Sequence, residues 1–177
     1  MNPSSFDTLI ETAVYSELLG FVAADPATLD RFHGGSACGL DLLDLYTTTD
    51  VGDRVSATGA AIPILGVDAG HYSFVVRDSA APTLLTAAPL ATSSGWILQV
   101  TSGEIALCGV GRLKRWDPQQ TSVRRVAVPV GWYSVDIVLG RAINDDDFAL
   151  ELAMSPCAAK PNFSADVSQS LLLDETA

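Results

Sequence analysis

Val67-Asp68-Ala69-Gly70-His71-Tyr72-Ser73-Phe74-Val75-Val76 and Val128-Pro129-Val130-Gly131-Trp132-Tyr133-Ser134-Val135-Asp136-Ile137 carry Val, Gly, Tyr and Ser in the same register. Each stretch reads as an extended lead-in, a glycine turn and a strand, with the glycine free to bend tightly or adopt a positive φ. Tyr72, Phe74 and Val76 share one face, as do Tyr133, Val135, Ile137 and Leu139. That period of two is the pattern of a half-buried strand.

Upstream of the first copy lies Leu42-Leu43-Asp44-Leu45-Tyr46, and upstream of the second lies Trp96-Ile97-Leu98-Gln99-Val100. Each is followed by a polar turn and a short apolar stretch, Val55-Ser56-Ala57 or Ile105-Ala106-Leu107. The expected repeat therefore spans 42–78 and 96–140, with an insertion near Leu113 to Gln120 in the second copy. A last strand follows, with Phe148, Leu150, Leu152 and Met154 on one face after the turn Asn144-Asp145-Asp146-Asp147. Phe6 to Val22 is read as a strand pair. Pro26 to Leu29 opens a short helix after Asp25 as N-cap. His33 to Gly39 is a loop, and Ala80 to Ser94 a linker. Eight or nine short strands with frequent turns predict an all-β fold, an antiparallel β-sandwich or flattened barrel built from two repeated β modules. Its 177 residues, 48% of them hydrophobic, suffice for one domain over 1–177.

Charge narrows the function. Twenty-one acids against ten bases give a net charge of −11, which argues against a nucleic-acid partner. Residues 1–53 hold nine acids and one base, and residues 136–177 hold eight acids and two bases. Half of the bases fall at Arg112, Lys114, Arg115, Arg124 and Arg125. Mean hydropathy is +0.28, yet no uncharged apolar run reaches the ~18 residues that span a bilayer. The first residues lack the basic and apolar regions of a signal peptide, so the expected compartment is the cytoplasm, with no membrane contact.

No chemistry-bearing motif stands out. Cys38, Cys108 and Cys157 are odd in number and form no C-x-x-C pair, which speaks against a disulfide framework or a zinc ribbon. Cys108 reads as a small core residue. Histidines are limited to His33 and His71. There is no Walker loop, dinucleotide fingerprint or nucleophile elbow. No catalytic residue, metal site or cofactor is assigned.

The segment Arg125-Val126-Ala127-Val128-Pro129-Val130-Gly131-Trp132-Tyr133-Ser134-Val135 resembles a stretch late in the competence protein J family of small bacterial nuclease inhibitors. The resemblance covers about a third of the chain. It implies a small acidic β-protein that binds and blocks an effector, and it carries over no contact residue.

The expected function is thus a non-enzymatic inhibitor or immunity-type partner of a basic effector protein, steered by charge. Its expected contact residues are Asp41, Asp44, Asp50 and Asp53, a second patch of Asp145, Asp146 and Asp147, and Trp132. The alternative is a carbohydrate- or small-molecule-binding sandwich with Trp96, Trp116 and Trp132 as exposed platforms. A third reading is an enzyme using His33 and Cys38.

Overall fold

The computed structural model describes residues 6–142 and 148–171. Among them run strands β1 (Leu9–Tyr15), β2 (Gly20–Ala24), β3 (Ala61–Leu65), β4 (His71–Asp78), β5 (Ala91–Val100), β6 (Glu104–Gly109), β7 (Arg124–Ala127), β8 (Gly131–Arg141) and β9 (Phe148–Cys157). Helices α1 (Pro26–Phe32), α2 (Leu42–Thr48) and α3 (Val51–Ala57) lie between β2 and β3, and a 3₁₀ helix spans Val110–Arg115. The strands form two open sheets, ordered β1-β4-β9-β8-β5 and β3-β2-β6-β7. The fold is an all-β sandwich, and among the described residues there is no closed barrel.

The two tyrosine-bearing segments are β4 and β8. Tyr72, Phe74 and Val76, and Tyr133, Val135, Ile137 and Leu139, all enter the core between the sheets, where they meet Phe21, Ile105, Leu107, Leu150 and Leu152. Full burial of each large apolar side chain contributes about 1.5–3 kcal/mol. Each tyrosine hydroxyl donates to the carbonyl four residues upstream, Tyr72 to Asp68 at 3.1 Å and Tyr133 to Pro129 at 2.7 Å. Gly70 and Gly131 are not among the positive-φ residues. A Cβ at either would sit 3.8 Å from the tyrosine ring, which is ordinary contact. The bend is thus held by the tyrosine hydrogen bond and not by glycine conformation.

Strands β1 to β4 and β5 to β8 follow the same path. The first pairs antiparallel with the fourth (β1 with β4, β5 with β8), and the second with the third (β2 with β3, β6 with β7). In the smaller sheet β2 and β6 pair antiparallel with each other. In the larger sheet β9 lies between β4 and β8, parallel to the first and antiparallel to the second. Since β4 and β8 run in opposite directions, any strand between them must be parallel to one. The sheet is therefore not wholly antiparallel.

The expected strands at Leu42–Tyr46 and Val55–Ala57 are helices. By pairing pattern, β1 and β2 occupy the places that β5 and β6 hold beside β8 and β7. Asp41 caps α2 through Asp44 N–H, and Thr47, Thr48 and Thr49 donate their hydroxyls to carbonyls one turn back. Burial of Leu42 and Val55 against Ala24, Ala106 and Cys108 on the outer face of the smaller sheet completes a second core. This packing decides for helix where five apolar-rich residues fit strand or helix equally well. It also explains why β2 and β6 are apolar on both faces. Cys108 is fully buried there, and burial pushes its thiol up to about 12.

The 80–94 segment is only partly a linker, since β5 begins at Ala91. Its first portion covers the outer face of the larger sheet. Glu151, fully buried on β9, accepts from Arg77 Nε at 2.9 Å, Thr83 Oγ1 at 2.9 Å and Leu84 N–H at 2.7 Å. Arg77 also donates to the Ala81 carbonyl at 2.9 Å. The ion pair binds this segment to the sheet. After β9, Ser164 and Ala165 N–H donate to the Gly95 carbonyl and Leu171 N–H to that of Leu65, so the chain straps β5 to β3.

The β1–β2 turn is unusual. Leu18 and Leu19 have φ of 53° and 56°, where a two-residue hairpin turn favours Asn-Gly. Left-handed backbone costs a bulky residue about 1–2 kcal/mol.

Candidate protein-docking face

The helical layer begins at Asp25, which is fully buried. Its Oδ1 accepts from Ala27 and Thr28 N–H at 2.7 and 3.0 Å, capping α1. Its Oδ2 accepts from Thr101 and Ser102 N–H in the β5–β6 turn. One carboxylate thus ties the start of the helices to the second half of the molecule. The expectation of an Asp25 cap before a Pro-initiated helix holds.

At the far end of α1, His33 Nε2 lies 2.7 Å from Tyr46 Oη, and the two rings stack with centroids 5.7 Å apart. Burial lowers the His33 pKa against the opposing pull of Asp30, and burial raises that of Tyr46. Both stay neutral at pH 7 and share one hydrogen bond that fixes α2 against α1. Cys38 is exposed. His33 Nε2 is thus committed to Tyr46, and among the described residues no hydrogen bond joins His33 to Cys38.

Asp41 and Asp44 lie at the start of α2, and Asp50 and Asp53 at the start of α3; all four are exposed. Acids favour helix starts because they cap N–H groups and face the positive end of the dipole. Capping accounts for Asp41, whereas Asp50 makes no capping bond and lies 3.6 Å from exposed Arg54. All four lie at these two helices, where a strand was expected around Asp44 and a polar turn around Asp50 and Asp53. Asp145, Asp146 and Asp147 lie outside the described residues.

Trp132 lies elsewhere. It is half-buried at the start of β8, and a Cβ on Gly59, just past α3, would come within 2.8 Å of its ring. Lys160 Nζ sits 5.9 Å from the ring centroid. Trp96 and Trp116 are buried at 4% and 1% exposure. Trp96 Nε1 donates to Ser93 Oγ at 2.9 Å. Trp96 and Trp116 are therefore not on the surface, and of the three tryptophans only Trp132 keeps part of its ring in solvent.

Sequence reasoning missed a groove of about 130 Å3 under the helical pair. Leu43, Tyr46 and Val55 form its roof, Pro63 and Leu65 its floor, and Asp53 lies at its edge. The apolar run 42–46 was the available signal, but alternation and helical spacing look alike over five residues. Among the described residues, no helix is long and apolar enough to cross a membrane.

No family model and no curated protein sequence matches the chain. Two solved structures are similar. One is the crystal structure of ComJ, inhibitor of the DNA degrading activity of NucA, from Bacillus subtilis. It has 11% identity and a TM-score of 0.48, over 87% of this chain and 98% of that one. The other, crocagin biosynthetic gene J, has 12% identity and a TM-score of 0.46, over 82% and 94%.

Proposed function

We propose that this protein is a docking module that binds a basic effector protein through the α2–α3 face and inhibits it by occlusion. The observation that carries this reading is the exposed set Asp41, Asp44, Asp50 and Asp53 at the starts of two consecutive helices, in a chain of net charge −11. Short rigid helices packed on a sheet hold such charges in a fixed array. A cationic partner is steered toward them, and salt weakens the effect.

The test uses Asp41→Asn, Asp44→Asn and Asp50→Asn together, because asparagine caps a helix as well as aspartate does and removes only charge. Crosslinking in lysate at low ionic strength is compared between this variant and the wild type. A protein of high isoelectric point captured by the wild type and lost from the variant supports the reading. Equal capture by both, or capture indifferent to salt, overturns it.

A further inference from the structure

One end of the molecule leaves large apolar side chains in water. Tyr15, Leu18, Leu19 and Leu65 are 46%, 59%, 49% and 42% exposed. They are neighbours: Gly20 pairs with Leu65 across β2 and β3, and a Cβ on Gly20 would lie 3.4 Å from Leu65 and 3.0 Å from Val110. Leu65 and Val110 both line the groove beneath α2 and α3. The apolar surface is therefore continuous from the β1–β2 tip into that groove.

Its two ends differ in charge. Beside the tip, Glu17 is paired with Arg112, and exposed Lys114 lines the hollow next to Leu18 and Leu19. At the groove the edge is acidic, with Asp53 exposed on α3. A strip that is basic at one end, apolar in the middle and acidic at the other is complementary to itself when turned by a two-fold axis. An isologous dimer has this requirement. A partner of one charge sign is favoured at only one end of this strip, whereas a second copy satisfies both ends.

We propose that the protein forms a two-fold dimer in which the Leu18–Leu19 tip of each copy enters the groove of the other and Lys114 of each faces Asp53 of the other. This does not depend on the effector-docking reading, and because the dimer covers Asp53 and the groove beneath α2 and α3, the two occupants compete for part of one face.

The full chain is examined by sedimentation velocity over a range of concentrations. The wild type is expected to dimerise reversibly. Leu18→Asn with Leu19→Gly removes the tip but suits the turn, so the dissociation constant should weaken about tenfold or more while the melting temperature does not fall. Lys114→Glu and Asp53→Lys should each be monomeric alone and form a dimer when mixed in equal amounts. A wild type that stays monomeric up to its solubility limit overturns the proposal. So does a tip variant that dimerises unchanged, or charge variants that fail to recover on mixing. Binding of monomeric wild type to phosphatidylcholine–phosphatidylserine vesicles, lost in the tip variant, would assign the tip to a membrane and overturn it too.

Discussion

The halves 9–78 and 91–141 trace the same four-strand path and close it with the same tyrosine hydrogen bond. They differ in what joins their second and third strands. In the second half the connection is one 3₁₀ helix and a loop, residues 110–123. In the first it is residues 25–60, with three helices, the His33–Tyr46 pair, the groove and the four exposed aspartates. The shared part is scaffold, and the longer connection of the first half carries the four exposed aspartates and the helical side of the groove. Connections tolerate such change because their backbones lie outside the sheet ladders.

The second difference is β9, which separates β4 from β8 while β2 and β6 remain in contact. Glu151 faces Arg77 of the first half only. Replacing Glu151 with Ala leaves a buried guanidinium without its partner and should cost about 3–5 kcal/mol, read from the urea midpoint. A loss below ~1 kcal/mol would mean that the backbone ladders alone hold β9 between the halves.

Asp25 joins the halves through four backbone N–H groups. Asp25→Ala removes a cap and strands the two donors of the β5–β6 turn, so about 2–4 kcal/mol should be lost. Asparagine should recover only the cap, because its NH₂ cannot accept from Thr101 and Ser102. Full recovery by Asn would show that the link between halves is dispensable.

The smallest effect sharpens the comparison most. Tyr72→Phe and Tyr133→Phe should each cost about 0.5–1.5 kcal/mol, and similar losses would mark the two corners as equivalent. Burial first, and then Asp68, pushes the Tyr72 hydroxyl up to about 12 from 10.0, and burial together with Asp78 raises Tyr133. The unfolded chain therefore loses these protons first. The stability held below pH ~10 falls as pH rises toward ~12, and Tyr72→Phe should flatten that fall. An unchanged slope in the variant would show that Tyr72 does not control it.

Strand positions with large side chains on alternate faces were readable, as Tyr72-Phe74-Val76 and Leu150-Leu152-Met154 show. So was Asp25, because a cap followed by proline is a local signal. Leu42–Tyr46 was not readable, since its conformation depends on Ala24, Ala106 and Cys108 offering a surface of small side chains to pack on. Nor was the Arg77–Glu151 pair, whose members lie far apart in the chain and are brought together by a parallel pairing that no local pattern announces. Trp116 looked like a surface aromatic in a charged stretch, and the helical layer buries it.

By itself the sequence determined the alternating strands, the tyrosine repeat, the acidic balance and the capping acids, because these depend on neighbours within a few residues. Only the tertiary structure decided that residues 42–57 are helical, that β9 separates the halves, and that the exposed leucines adjoin an acid-edged groove. Those outcomes follow from which surfaces meet, and contacts between distant segments are set by burial across the whole chain and not by local preference.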